Sequence, residues 1–463
     1  MKDLHGQDDL RNASLGFAMI PLAAEMPGSL AGYRADTALV PASTMKAVTT
    51  AAALDLLGPD FRFKTALQHT GTIAEDGTLT GDVIVAGGGD PTLGASRIAA
   101  TLTKWRTALN EAGVKKIEGR VIGDASLFGT QLRPDGWQWN DLGNYYAAGA
   151  CGLTFHRNQF FCTFQTGKPG TMAELIGTDP KLPKVTLLNE MRVGPAGSGD
   201  QGYVYGAPYA RHLYLRGTVP AGGSTFTIRG ALPDPALFCA RAFTRHLAKN
   251  QIPVSGKPTT MRLLKIAGQS AAGERQVLSE EQSDPLSKLI LITNHHSDNL
   301  YAECIHRMIG VKQYRDGSTA AASRAVAAYW KGKGISLTGF HMEDGSGLAR
   351  ANTITARQLA LMLYQTARSR HFETFLKSLP VAGKSGTMFH IGRGSAAEGR
   401  VRAKSGSMSR VKSYCGYIQA RSGERFAFAM LFNNFTGQPG DLKPRIVRLW
   451  NKIVNLQPDP VIP

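Results

Sequence analysis

This sequence predicts an α/β chain of more than one domain, and three observations carry that reading. Its 463 residues exceed what a single ordinary core organises, so two or three domains are expected. Both ends of the chain hold helical runs, whereas the middle, from about Cys151 to Leu264, is a succession of short β-type runs broken by glycine and proline. The 52 glycines and 23 prolines agree with many turns and a substantial β component.

Taken in order, Leu15 to Leu22 reads as a first strand, leading through a turn-rich segment to Pro41-Ala42-Ser43-Thr44-Met45-Lys46. The run that follows, Ala47 to Leu57, is almost wholly apolar or small, which predicts a helix inside the protein, ended by Gly58-Pro59. Short strands follow at Phe61 to Leu67 and Val83 to Ala86, the latter running into Gly87-Gly88-Gly89-Asp90-Pro91. That glycine run lacks the spacing of a phosphate cradle and is read as a tight turn. Ile98, Leu102, Trp105 and Leu109 form one stripe of a helix that stops at Gly113. After a strand around Val121-Ile122 comes an aromatic loop, Gly136 to Tyr146, with Trp137, Trp139, Tyr145 and Tyr146 around Asp141.

Helical character returns at Asp284, and Ser297-Asp298-Asn299 falls at the junction of two helical stretches. His295 and His296 lack an acidic partner at ligand spacing, so no metal site is expected there. Helices around Ala327–Trp330 and Gln358–Leu363 flank a turn, Asp344-Gly345-Ser346-Gly347-Leu348-Ala349-Arg350. Ser413 to Ala420 and Arg425 to Asn433 form a hairpin across Arg421–Glu424, and Pro444 is expected to open a C-terminal helix with Ile446, Leu449, Trp450 and Ile453 on its stripe.

The balance of Lys+Arg 53 against Asp+Glu 35 leaves a charge of +18, a field that favours polyanions. The basic residues are scattered, without a block or an aromatic-interleaved basic strand, which argues against nucleic acid as a partner. With 43% hydrophobic and 19% charged residues and no apolar run of roughly 18 residues, no transmembrane segment is expected. Cys151, Cys162, Cys239, Cys304 and Cys415 form no C-x-x-C; Cys151 and Cys162 are near enough in sequence to be bridged, and an odd total leaves at least one unpaired in the chain. The first ten residues lack the apolar core of a signal peptide, which fits a cytoplasmic protein or a mature chain whose export signal has been removed.

The chemistry is concentrated in three short motifs. On a helix, Ser43 and Lys46 share a face, and a buried lysine loses solvation so that its pKa falls, further still beside a second cation. Lys46 then serves as a base, while a serine at a helix N-terminus sits where free N–H groups favour a developing oxyanion. S-x-x-K alone is a weak signal. It is followed in order by Ser297-x-Asn299 and by a K-S-G ahead of the terminal hairpin and helix, the order found in penicillin-recognising serine enzymes. Two segments compete for the third motif. Lys384-Ser385-Gly386 leads into a Gly-rich polar stretch, whereas Lys404-Ser405-Gly406 leads into the hairpin and is therefore assigned.

With Gly87–Leu93, the Gly136-Trp137-x-Trp139-Asn140-Asp141 loop, Asp344–Leu348 and Gly386-Thr387, nearly the whole chain resembles the class C low-molecular-mass penicillin-binding proteins, the D-alanyl-D-alanine carboxypeptidase/endopeptidase family S13. The resemblance implies a transpeptidase/β-lactamase-like catalytic domain, an antiparallel sheet flanked by helices, from residues 1–62 and 270–463. It also implies a mostly β inserted region over 63–269, expected to form two smaller domains. An exported, periplasmic or otherwise extracytoplasmic protein is implied, its signal peptide removed. Peptidoglycan stem peptides and β-lactams are the expected partners, a homo-oligomer is compatible with the sequence, and no cofactor is called for.

On this reading Ser43 attacks the D-alanyl carbonyl, Lys46 takes its proton, and the N–H groups of Ser43 and Ser407 hold the oxyanion. Ser297 relays a proton to the leaving amine, Asn299 binds the peptide amide and orients Lys46, and Lys404 with Ser405 grips the terminal carboxylate beside Gly406. By the resemblance, Asp141 and Arg350 recognise a diaminopimelate end, with Tyr146 as an aromatic wall. A serine β-lactamase would need a rapidly deacylating group that is not evident, and a non-catalytic peptidoglycan-binding module would not need Ser43 or Lys46.

Overall fold

The computed structural model describes residues 1–24, 31–95, 98–271 and 273–457. They gather into two compact units, Met1–Phe61 with the chain from Pro285 onward, and Arg62–Asp284. The polar strand Gln276–Gln282 pairs antiparallel with Lys64–His69, which carries the second unit past residue 270, where the family resemblance sets the expected boundary. No helix among the described residues is long and apolar enough to cross a membrane.

The first unit is built on a five-stranded antiparallel sheet, in the order Ala31–Tyr33, Ser14–Pro21, Arg425–Asn433, Val411–Gln419, Val401–Met408. Val411–Gln419 and Arg425–Asn433 are buried almost throughout, because helices cover both faces of the sheet. On one face lies the helix Pro439–Val454, whose Trp450 meets Tyr414 and Phe428 edge-on at 5.2 and 6.0 Å between ring centroids. This helix starts five residues before Pro444. Pro439 occupies its first turn, and Gln438 and Asp441 close a capping box, so Pro444 lies inside the helix rather than opening it.

Ala356–Thr366 packs on the other face, where the Tyr417 hydroxyl donates to the Leu363 carbonyl at 2.8 Å. The helix Met45–Leu57 is buried from Met45 through Leu54, as an all-round apolar sequence requires. Gly58, with φ +89°, ends it. The helices Leu286–His296 and Asn299–Tyr314 complete the surroundings of the site.

The second unit contains a mixed five-stranded sheet in the order Thr259–Thr260, Val121–Asp124, Val83–Ala86, Lys64–His69, Gln276–Gln282. A three-stranded antiparallel sheet is centred on Gln159–Gln165, and another sheet on His212–Pro220, with the helices Ile98–Glu111 and Pro235–Lys249 alongside. One apolar cluster, including Trp105, Phe155, Phe160 and Phe243, runs through it. Gly88 is structural here. A Cβ on it would fall 1.7 Å from the Lys64 carbonyl oxygen. All five cysteines are buried thiols.

Candidate active site

The nucleophile motif is a 3₁₀ turn, Ala42–Thr44, running into the helix Met45–Leu57. Ala42 has φ +47°, a left-handed conformation that costs a non-glycine residue about 1–3 kcal/mol. Ser43 is the one residue between Pro41 and Thr50 that is not buried, so the turn presents a single hydroxyl.

Lys46 lies wholly buried behind it, and its Nζ has three neighbours: Ser43 Oγ at 3.1 Å, Asn299 Oδ1 at 2.6 Å and the Ser346 carbonyl oxygen at 2.6 Å. A neutral amine has two N–H groups and one lone pair. The two short contacts are to atoms that can only accept, so they take the N–H groups and leave the lone pair for the Ser43 hydroxyl. Burial lowers the Lys46 pKa to about 8, against the opposing pull of the Asp344, Glu303 and Asp298 carboxylates. The sequence reading also assigns part of this shift to the second lysine. In the structure the repulsion falls on the other partner: burial, and then the Lys46 charge, hold Lys404 well below the usual lysine range.

Ser297 ends the helix Leu286–His296 in the left-handed conformation, φ +57°, and Asp298 caps the next helix by accepting from the Tyr301 N–H at 3.1 Å. This break between helices is what brings Ser297 and Asn299 to one site. Lys404 is fully buried on the strand Val401–Met408, with its Nζ 2.9 Å from Ser297 Oγ and 2.7 Å from the Ser405 carbonyl oxygen. A Cβ on Gly406 would lie 2.2 Å from Ser413 Oγ, 2.8 Å from the Pro41 oxygen and 2.9 Å from the Ser43 nitrogen. Only glycine lets this strand pass so close to the nucleophile turn. Ser407 follows it, paired with Lys412.

The competing Lys384 is exposed and lies off the sheet, ahead of the short turn Gly386–Met388. That turn nevertheless reaches the site, because Ser405 Oγ donates to Thr387 Oγ1 at 2.8 Å. Thr387 and Ser346 are the residues that sequence reasoning leaves without a role at the site. The second had a signal in the two glycines flanking it, since a Cβ on Gly347 would fall 1.9 Å from the Ala42 oxygen. Arg350 is half-buried and donates to the Ser409 carbonyl oxygen at 3.4 Å.

Asp141 and Tyr146 belong to the second unit. The Tyr146 hydroxyl donates to Asp141 Oδ1 at 2.9 Å, so Tyr146 holds the carboxylate. Burial, with the Asp141 charge, raises the Tyr146 pKa and keeps the phenol protonated. Their loop is fastened by Asn144, which accepts from the Val204 N–H at 3.0 Å.

The family model for the D-Ala-D-Ala carboxypeptidase 3 (S13) family matches residues 2–450. The chain belongs to the S13 family. It is 30% identical over 410 residues to the D-alanyl-D-alanine carboxypeptidase of Actinomadura sp. (strain R39), covering 86% of this chain and 74% of that one. It is 27% identical over 426 residues to the D-alanyl-D-alanine carboxypeptidase DacB of Haemophilus influenzae, covering 90% and 85%. Among solved structures, penicillin binding protein 4 (dacB) from Haemophilus influenzae matches with a TM-score of 0.83 at 24% identity, over 98% of this chain and 99% of that one. The same protein complexed with a β-lactam matches with a TM-score of 0.75 at 22% identity, over 96% and 97%. The S13 chain thus has the penicillin-binding fold, and its second unit, Arg62–Asp284, interrupts the first in sequence.

Proposed function

We propose that the protein is a serine D,D-peptidase that cleaves D-alanyl-D-alanine termini and/or D-alanyl-diaminopimelate cross-links of peptidoglycan through an acyl-enzyme on Ser43. The observation that carries this reading is the convergence of two buried lysines on two serines, Lys46 on Ser43 and Lys404 on Ser297. Family membership and the carboxypeptidases among its relatives support it.

The Ser43 oxygen attacks the penultimate D-alanyl carbonyl as its proton passes to the Lys46 lone pair. The N–H groups of Ser43 and Ser407 stabilise the oxyanion, an interaction worth about 10²–10³ in rate. Collapse breaks the C–N bond, and the leaving D-alanine amine takes a proton through Ser297. Lys404 and Ser405 hold the terminal carboxylate, whose negative charge restores the protonated form that burial disfavours in Lys404. Asn299 orients Lys46 and meets the peptide amide. Water then attacks the ester and releases the shortened peptide. A β-lactam follows the same first steps but keeps its leaving amine tethered, so its ester persists; the β-lactam complex of the Haemophilus influenzae protein is in keeping with this.

Asp141 and Tyr146 are assigned to the ammonium of a diaminopimelate end and Arg350 to its carboxylate, on the family resemblance. Peptidoglycan as substrate places the protein outside the cytoplasm. The test is release of D-alanine from a stem peptide ending in D-alanyl-D-alanine. Release by the wild-type chain and none by Ser43→Ala supports the reading; release by Ser43→Ala overturns it.

A further inference from the structure

Ser346 is held from behind by two carboxylates that none of the steps above uses. Its N–H donates to Glu303 Oε1 at 2.7 Å. The next peptide group, whose oxygen accepts from Lys46, donates its Gly347 N–H to Asp344 Oδ1 at 2.6 Å, and Asp344 Oδ2 accepts from the Ala349 N–H at 2.6 Å. Glu303 and Asp344 are 1% and 0% exposed, and Glu303 Oε2 has no hydrogen-bond partner among the described residues. A buried carboxylate with an idle oxygen costs stability rather than adding to it, so stability alone is a poor reason for its presence.

We propose that Glu303 is a positioning residue for catalysis, anchoring the Ser346 backbone so that its carbonyl takes one N–H of Lys46 and turns the amine lone pair toward Ser43. This inference rests on the reading of Lys46 as the base. Glu303 lies on the helix that starts at Asn299, so one helix supplies both acceptors of Lys46, Asn299 Oδ1 directly and the Ser346 carbonyl through Glu303. Around the Glu303 carboxyl stand His306 and Arg307 from its own helix, Asp344 and the Gly345 N–H from the turn, and Lys46 from the nucleophile helix, while the Asp298 carboxylate at the cap of the Glu303 helix acts on Lys46. Burial holds His306 neutral, its pKa lowered to about 3, so the 3.9 Å approach of its Nδ1 to Glu303 Oε2 is not an ion pair. Burial and the Asp344 charge raise Glu303 to about 7, so it is mainly ionised where Lys46 titrates. There its charge favours the Lys46 cation.

Two variants separate anchoring from charge. Glu303→Gln keeps an acceptor for the Ser346 N–H and removes the charge, whereas Glu303→Ala removes both. The second-order rate of acylation by a fluorescent penicillin is measured on the full chain from about pH 6 to about pH 10. Glu303→Gln should keep its high-pH rate within about threefold while its acid limb moves down by about one pH unit, since the loss of an anion lowers the Lys46 pKa. Glu303→Ala should lose about 10–100-fold at every pH, as expected for a base displaced by a fraction of an ångström. An unmoved limb in Glu303→Gln, or a wild-type rate in Glu303→Ala, overturns the proposal; if Glu303→Ala fails to fold, the limb of Glu303→Gln decides it. Lys46→Ala is run alongside. Full acylation there removes the base assignment and this inference together, whereas a dead Lys46→Ala with an unmoved Glu303→Gln removes this inference alone.

Discussion

Gly406→Ala adds one methyl group where the strand Val401–Met408 passes the nucleophile turn. Its backbone is extended, so alanine meets no conformational penalty and the effect is steric. The new Cβ would stand 2.2 Å from Ser413 Oγ, 2.8 Å from the Pro41 oxygen and 2.9 Å from the Ser43 nitrogen. Ordinary contact needs roughly 3.5 Å, so a gap of about 1 Å must open between strand and turn. Ser413 cannot swing away cheaply, because its hydroxyl donates to the Pro41 oxygen at 2.5 Å in a buried site. Overpacking of this kind costs about 1–3 kcal/mol of stability. Catalysis should suffer more, since the Ser407 N–H moves with the strand while the Ser43 N–H stays with the turn. A misplacement of that size costs about 10²-fold in acylation rate. The assay is the rate of labelling by a fluorescent penicillin, with thermal unfolding followed in parallel. Acylation within about threefold of wild type would refute the two-donor oxyanion site.

Three further outcomes are expected. The acylation rate of the wild-type chain should rise with pH and level off above about 8, because Lys46, lowered to about 8 by burial, is the active base only when neutral; a limb near the ordinary lysine value would contradict the neutral-base reading. Lys404→Ala should nearly abolish labelling and Lys384→Ala should leave most of it, the first lysine being buried against Ser297 and the second exposed; the reverse outcome would reassign the strand motif. Asp141→Ala and Arg350→Ala should slow cleavage of a diaminopimelate-bearing stem peptide by about 10-fold or more while sparing penicillin labelling, which lacks that end. Equal losses on both substrates would make these residues structural.

The catalytic unit was readable because its signals are local or periodic. An apolar run that continues past Lys46 predicts a buried helix, and a K-S-G that leads into a hairpin is distinguishable from one that leads into glycines and polar residues. The carbonyl of Ser346 was not readable, since a backbone acceptor carries no residue-type signature and its partner is 300 positions away. Thr387 was legible only as part of the Gly386-Thr387 segment, because nothing local shows that its hydroxyl reaches Ser405 from a turn off the strand. The start of the last helix was misplaced because two prolines compete for it, and the Gln438–Asp441 capping box decides in favour of Pro439. The polar strand Gln276–Gln282, with its two adjacent glutamates, shows no strand alternation and finds its place only by pairing with Lys64–His69.

The central claim is that Ser43 is the nucleophile of a penicillin-sensitive acyl-enzyme. Its most direct test is to incubate the chain with benzylpenicillin, digest it, and locate the added mass by peptide mass spectrometry. The account predicts one penicilloyl group on Ser43, slow to hydrolyse and absent from Ser43→Ala. An adduct on any other residue, or one that persists in Ser43→Ala, would contradict it.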